Sequence, residues 1–202
     1  MTDSIYDQLN AYGTVAKQRF VENFSGSALD TDRWDTTVSF GSFTASMADA
    51  VDEGLDLISS TSGNQGGYID FADKRQYSHN SSVNIAVWRR AGSFGAQVGL
   101  MRTIFTDASY FEDGTYNTYK ELGSADGSTN TTTASTVAVD TNFHNHSIVS
   151  GSSDIQGSID GVLEVTKTTN RSTAAMQPFC RTTTNTTPAA QIRIRYMEAY
   201  NT

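Results

Sequence analysis

Cysteine, proline, charge and long apolar runs are all scarce in this chain of 202 residues, and each scarcity excludes a class of protein. A single cysteine, Cys180, excludes an intrachain disulfide framework, and its apolar surroundings favour a small buried thiol. No apolar run of about 18 residues occurs, so the sequence predicts no membrane-spanning helix. The chain opens without the basic and apolar regions of an export signal, which predicts that it is not secreted by that route.

The few charged residues are mostly acidic, and the net charge is −8. A protein that binds nucleic acid needs a basic face for the phosphates, so this balance argues against nucleic acid as a partner. No Gly-x-Ser-x-Gly turn, phosphate-binding glycine loop or Cys-x-x-Cys pair is present. The sequence therefore excludes several common classes of enzyme and predicts no cofactor.

Serine, threonine and glycine are abundant instead, in short alternating segments separated by turn residues. This pattern predicts an all-β protein, a single antiparallel β-sandwich formed by residues 17–202. Residues 1–16 differ, because Ile5, Leu9 and Tyr12 fall on one face of a short helix that Gly13 ends. A helix this short has marginal stability in isolation. This N-terminal arm is therefore either an anchor that docks on a surface or a frayed leader.

The clearest local pattern is a hairpin between Asp154 and Thr168, with Asp160-Gly161 as its turn. Ile159 alternates with polar residues before the turn, as do Leu163 and Val165 after it. A strict two-residue turn would place Glu164 on the apolar face. We therefore predict a loop with an odd number of residues, which pairs Ile159 with Leu163.

Two other segments yield predictions of this kind. The last strand alternates apolar residues, including Ile194 and then Tyr196 or Met197, with two arginines that we expect on its solvent face. Residues 126–133 and 182–187 are polar and rich in turn residues, so both are predicted to be loops.

Several stretches together resemble the concanavalin A-like lectin and glucanase family of jelly-roll domains. They include Phe24-Ser-Gly-x-x-Leu-Asp-x-x-x-Trp34 near the start, Phe143–Ile148, Ile159-Asp-Gly-Val-Leu163, Ala175–Phe179 and Ile192–Tyr200. The resemblance implies two antiparallel sheets packed face to face, one of them concave, with the N- and C-terminal strands adjacent. Because this fold hosts lectins, hydrolases and structural modules, it does not by itself assign a function.

The laminarinase-type hydrolases of this family carry a Glu-x-Asp-x-x-Glu strand, whose carboxylates perform retaining hydrolysis. No stretch of this chain matches that motif. Glu112 and Asp113 are adjacent, so they face opposite sides of a strand. From this absence we expect no catalytic residues and a protein that is not an enzyme.

Two groups of residues could hold a metal, although neither is specific. The acidic run from Asp49 to Asp56 is either a solvated loop or a carboxylate site for a structural calcium ion. His144 and His146 lie on the same side of a strand and could begin a zinc or nickel site if a third ligand, such as His79, came close. We assign no metal site to either group.

Aromatic residues are the remaining candidates for a binding site. Tyr110, Tyr116 and Tyr119 lie around the Asp113-Gly114 turn, and Trp88 lies in a long strand. Such rings either stack on sugars or fill the core of a sandwich. These four residues form the predicted carbohydrate-binding set.

The favoured function at this level is a non-enzymatic virion protein, a capsid decoration module that is assembled in the host cytoplasm and anchored by its N-terminal arm. Its expected partners are the major capsid or other virion proteins and further copies of itself in a homo-oligomer such as a trimer, with no membrane partner. A lectin-like module that binds host glycans is the alternative. A degenerate laminarinase-type glycoside hydrolase is the third hypothesis.

Overall fold

The computed structural model describes residues 19–47, 54–59, 65–71, 77–78, 81–90, 95–103, 106–113, 118–127, 129–184 and 190–202. The predicted N-terminal helix, with Ile5, Leu9 and Tyr12, lies outside these residues. The described residues contain the strands β1 (Arg19–Glu22), β2 (Asp35–Phe40), β3 (Phe43–Met47), β4 (Leu55–Ser59), β5 (Gln65–Asp70), β6 (Ser82–Arg90), β7 (Ala96–Thr103), β8 (Asp107–Asp113), β9 (Tyr119–Asp126), β10 (Thr129–Ala138), β11 (His144–Ser150), β12 (Ile155–Ile159), β13 (Val162–Lys167), β14 (Gln177–Thr184) and β15 (Gln191–Asn201).

These strands form two antiparallel sheets, which confirms the predicted all-β sandwich. The first sheet has the order β13-β12-β11-β6-β15-β4-β3, with β1 also paired to β15. The second sheet has the order β10-β9-β8-β7-β14-β5-β2. The pairing of β1 with β15 confirms that the N- and C-terminal strands of the sandwich are adjacent. None of the residues described here forms a helix long and apolar enough to cross a lipid bilayer.

The core lies between the two sheets and receives alternate residues from each strand. Trp88 and Ile194 from the first sheet are buried in it, as are Phe111 and Leu122 from the second. One end of the core is a cluster of edge-to-face or tilted aromatic rings, formed by Phe20, Phe24, Trp34 and Phe71. Burial of these large rings stabilises the sandwich, because it removes a large apolar surface from water.

The β12–β13 hairpin has a different register from the predicted one. Ile159 pairs directly with Val162, so Asp160 and Gly161 form a strict two-residue turn with positive φ angles of 52° and 82°. The odd residue that we predicted in the turn lies instead within β13, where Glu164 is the unpaired residue of a β-bulge. The bulge leaves Leu163 exposed, returns Val165 to the core and keeps Glu164 out of it.

Three further predictions are settled by the strands. The predicted loop at residues 182–187 is wrong for Thr182–Thr184, which belong to β14 and pair with β5. The predicted loop at residues 126–133 is wrong from Thr129 onwards, because β10 begins there and pairs with β9 along the edge of the second sheet. Threonine favours an extended backbone, and an edge strand can expose its polar side chains to water. In β15, a bulge between Ile194 and Tyr196 turns Met197 into the core. Of the two residues predicted as alternatives to continue the apolar alternation, Tyr196 and Met197, it is therefore Met197.

The arginines of β15 do lie on the outer side of the first sheet, as predicted. Arg193 pairs with the Asp56 carboxylate at 2.6 and 2.7 Å. The guanidinium of Arg195 lies 3.9 Å from the centre of the Phe143 ring. Of the acidic run from Asp49 to Asp56, only its last residues fall within the described chain, and there Asp56 serves as the partner of Arg193.

Candidate active site on the outer face of the second sheet

The outer face of the second sheet, the side turned away from the core, carries polar and aromatic residues of β8 and β9. In β8 the alternation turns Phe111 into the core and Tyr110 and Glu112 outward. In β9 it turns Leu122 inward and Glu121 outward. The two strands are paired in register, so these outward residues share one surface.

Glu112 and Glu121 are direct cross-strand partners on this outer face. Side chains of directly opposed residues start from Cβ atoms about 4.5–5.5 Å apart. Both glutamates are half-buried, so substrate and water can reach them. Two carboxyl groups held this close cannot both ionise easily, which is the usual arrangement of an acid and a nucleophile in a hydrolase.

Glu112 is the member of the pair whose environment favours a proton. Burial is the main cause that raises the pKa of its carboxyl, and the charge of Glu121 raises that pKa further. A hydrogen bond from the Gln97 side-chain amide, 2.9 Å long, and the nearby charge of Arg181 oppose that rise. The net effect is a pKa above the ordinary value for glutamate.

Beside the two glutamates, the same side of the sheet has an apolar floor whose residues are mostly buried rather than open to solvent. Tyr110 lies across the backbone of Gly123, where an added Cβ would meet the ring at 2.3 to 2.8 Å. The tyrosine hydroxyl donates a 3.0 Å hydrogen bond to Asn130 of β10, and burial raises its pKa to about 12. The rest of the floor is formed by Tyr68, Met101, Ala108, Ala125 and Phe179.

The four aromatic residues of the predicted carbohydrate-binding set do not form one surface. Trp88 lies in the core, with its ring stacked at 4.6 Å on His146, so it offers no open ring face to a sugar. Tyr110 is on the outer face but only 1% exposed. Tyr119 is 44% exposed, and the alternation of β9 places it on the same side as Glu121. Tyr116 lies outside the described residues.

The two histidines of β11, His144 and His146, lie in environments that differ from each other. His146 is buried, and the loss of solvent lowers its pKa to about 3, so it is neutral. His144 lies between two carboxylates, with Nδ1 2.6 Å from Asp160 and Nε2 3.1 Å from Asp140. Among the described residues, no three histidine, cysteine or acidic side chains are arranged to hold a metal ion. His79, the suggested third ligand, falls outside them.

A second charged pair bridges the same two strands on the opposite, inner side of the sheet. The Lys120 ammonium is 2.9 Å from the Asp113 carboxylate, and both side chains are almost fully buried. Asp140 lies 3.5 Å from the same ammonium, and Arg90 lies 3.7 Å from Asp113. This group of charges is neutralised within the protein and has no access to a large substrate.

The sandwich was compared with known proteins. No family model and no curated protein matches the sequence. The fold matches the β-glucanase of Bacillus licheniformis with a TM-score of 0.64 and 11% identity, covering 91% of this chain and 98% of that one. It matches the laminarinase catalytic domain from Thermotoga maritima with a TM-score of 0.67 and 10% identity, covering 92% and 98%. For a β-1,3-glucanase from Mycobacterium marinum the TM-score is 0.64 and the identity 10%, covering 89% and 97%.

These similarities confirm the jelly-roll sandwich of the concanavalin A-like type, since they extend over nearly the whole length of both chains. They also overturn the expectation that the protein is not an enzyme, because the solved structures that share its fold include three glucan hydrolases. The comparisons give no support to a virion role or to a link with viral decoration proteins. At this level of identity they establish the fold alone.

The Glu-x-Asp-x-x-Glu motif cannot identify the glutamate pair, because that motif places its carboxylates on one strand. Glu112 and Glu121 lie on neighbouring strands, and only the register of the β8–β9 ladder brings them together. The sequence did contain a partial signal. Glu112 and Asp113 were expected to face opposite sides, and the structure places them so.

Proposed function

We propose that the protein is a glycoside hydrolase that cleaves a β-glucan with Glu112 as general acid and Glu121 as nucleophile. The observation that carries this proposal is the direct pairing of the two glutamates on an accessible sheet face. Retaining glycosidases need carboxyl groups about 5–5.5 Å apart, a spacing that a cross-strand pair can supply. The glucan substrates of the three solved structures support the choice of polysaccharide.

In the proposed reaction Glu112 acts in its protonated form and Glu121 acts as the carboxylate. Neutral Glu112 gives its proton to the glycosidic oxygen as the bond to the anomeric carbon breaks. The Glu121 carboxylate attacks that carbon and forms a glycosyl ester. Water then attacks the same carbon while ionised Glu112 accepts a proton from it. Glu121 leaves as the carboxylate, the sugar keeps its anomeric configuration, and both glutamates return to their starting state.

The test is hydrolysis of β-1,3- and mixed β-1,3-1,4-glucans by the wild type, Glu112→Gln and Glu121→Gln, measured by the release of reducing ends. General acid catalysis contributes about 10²–10⁴-fold, so Glu112→Gln is expected to lose that factor. Glu164→Gln is the control, because it removes an exposed carboxylate of the other sheet. Proton NMR of the first product should show retention at the anomeric carbon.

Two outcomes would contradict the proposal. One is a wild type whose turnover on these glucans is no higher than that of the variant in which both glutamates are replaced. The other is an inverted first product, because inversion needs carboxyl groups further apart, with room for a water molecule between them.

The same face also supports a role for Tyr119 in holding the glycan. Its ring is exposed beside Glu121, and aromatic rings provide flat apolar surfaces for binding. Tyr119→Ala is expected to raise KM, or to weaken retardation in gels that contain the glucan, without changing the stereochemistry of the product. An unchanged KM and unchanged retardation would remove Tyr119 from the site.

A further inference from the structure

Gln97 lies on β7, directly opposite Glu112 of β8 and Arg181 of β14, so it is the middle residue of a row across three strands. All three side chains project onto the outer face. The Arg181 guanidinium donates a 3.0 Å hydrogen bond to Oε1 of Gln97. The Gln97 amide nitrogen in turn donates a 2.9 Å hydrogen bond to Oε2 of Glu112.

The direction of this row is fixed by chemistry. A guanidinium has only donors, so the atom of Gln97 that faces Arg181 must be the carbonyl oxygen. The amide group must then present its nitrogen, also only a donor, to Glu112. Oε2 of Glu112 is therefore an acceptor whichever protonation state the carboxyl has. In a neutral carboxyl the carbonyl oxygen is the better acceptor, so the amide of Gln97 favours the proton of neutral Glu112 on Oε1.

The geometry points to Gln97, oriented by Arg181, as a positioning residue that decides which oxygen of Glu112 carries the catalytic proton. This inference rests on the proposed function, because it assigns a role within the same site. Gln97 is 7% exposed and Arg181 9%, so both hydrogen bonds are largely shielded from competing water. A substrate that approaches the outer face would meet a carboxyl group whose acidic proton is already oriented.

The row also affects the ease with which Glu112 loses that proton. Four other groups act on Glu112: Glu121 on β9, Arg181 on β14, and Tyr110 and Asp113 on its own strand. Gln97 donates a hydrogen bond to Glu112, which stabilises the ionised form. Loss of Gln97 should therefore raise the pKa of Glu112 still further.

The experiment uses Gln97→Met, which keeps the length of the side chain and removes both the donor and the acceptor. The carboxyl of Glu112 is titrated by ¹³C NMR on glutamate-labelled protein, with its signal assigned through Glu112→Gln. The titration midpoint is expected to move to higher pH. The alkaline limb of kcat/KM should move with it, and kcat should fall about tenfold, the effect of losing one hydrogen bond to a charged group.

The control is Gln156→Met on the first sheet, which removes a 2.9 Å bond of the same kind, from a glutamine amide to the Asp154 carboxylate. This variant should leave both the Glu112 titration and kcat unchanged. Arg181→Met is a second test, because it frees the Gln97 amide to rotate, and it should move the Glu112 midpoint in the same direction.

The inference is overturned if Glu112 titrates at the same pH in Gln97→Met as in the wild type. If Gln97→Met does not fold, Arg181→Met is compared with the wild type in the same way. An activity that falls while both the titration and the pH profile stay in place would also overturn it, because a purely structural role predicts that result. The titration needs no turnover. A wild type that cleaves no glucan would therefore refute the proposed function and leave the link between Gln97 and Glu112 to be judged by NMR.

Discussion

The β8–β9 ladder carries two charged pairs of opposite design on its two sides. On the inner side, Asp113 meets Lys120, so opposite charges compensate each other away from water. On the outer side, Glu112 meets Glu121, so two acidic groups that disfavour each other's ionisation share a half-buried surface. Each pair takes one residue from β8 and one from β9, and the residues of the two pairs are neighbours in sequence.

This difference separates residues that hold the fold together from residues that do chemistry. A buried charge is tolerated only with a partner, and the inner pair meets that condition. The outer pair keeps an unfavourable arrangement that a fold alone would not select, since like charges directly opposite each other destabilise a sheet. Proteins commonly accept such a cost where a function needs it.

Lys120→Met removes the buried ion pair between Lys120 and Asp113 and should have the largest effect on stability. It leaves the buried Asp113 carboxylate without its closest cation and is expected to cost about 3–5 kcal/mol of unfolding free energy. Denaturant unfolding at neutral pH measures this cost. Adding Asp113→Asn should recover part of it, because the buried charge is then gone. A loss below about 1 kcal/mol would show that Arg90 alone suffices for Asp113.

His146→Phe tests a second buried group on the inner side, where the His146 ring packs against Trp88 and Phe111. Its pKa is lowered to about 3 by burial, while the unfolded chain keeps the ordinary value of 6.5. Between these values the unfolded state binds more protons, so this histidine's contribution to stability is complete above pH 6.5 and is lost as the pH falls.

At about 1.4 kcal/mol per pH unit, the wild type should lose roughly 2–3 kcal/mol more than His146→Phe between pH 6.5 and 4.5. Phenylalanine keeps a flat ring against Trp88, so the stacking contact is retained in the variant. Unfolding curves measured across this range provide the comparison. Parallel pH dependence in the two proteins would mean that His146 charges freely in the folded state.

Gly123→Ala tests the packing of the outer face, with a smaller expected effect. The new methyl group would overlap the Tyr110 ring, which has to move away from Asn130. Overpacking of this kind costs about 1–3 kcal/mol. The loss should appear in thermal unfolding, together with a changed Tyr110 signal in NMR. Gly127→Ala is a poor control because of its positive φ. Ala199→Gly changes a buried methyl group in β15 of the first sheet, within the other core cluster, and should leave the Tyr110 signal in place.

Glu121→Gln should have the smallest effect on stability and the opposite sign. It removes the charge that opposes ionisation of the directly facing Glu112 carboxyl, and it is expected to gain about 0.2–1 kcal/mol of unfolding free energy at neutral pH. The pKa of Glu112 should fall at the same time, because the Glu121 charge raises it. A variant that is less stable than the wild type would indicate that Glu121 makes a favourable contact which outweighs the repulsion.

The sequence predicted much of the fold and little of the site, for a physical reason. Alternation within one strand is a local property, so the sandwich, the hairpin at Asp160 and the terminal strand could be predicted from it. Bulges are not local in this sense, and those at Glu164 and Ile194 changed the register of two strands. The Glu112–Glu121 pair depends on register between strands, which no single segment encodes.

Cys180 offers a way to follow these effects in real time. It is the single cysteine of the chain, it is fully buried in β14, and burial raises its pKa well above the ordinary value. A thiol reagent can therefore modify it only when β14 separates from its neighbours. Because Arg181 is the next residue, the labelling rate reports how often the strand that orients Gln97 opens. The protein thus contains its own reporter of the lifetime of the assembled site.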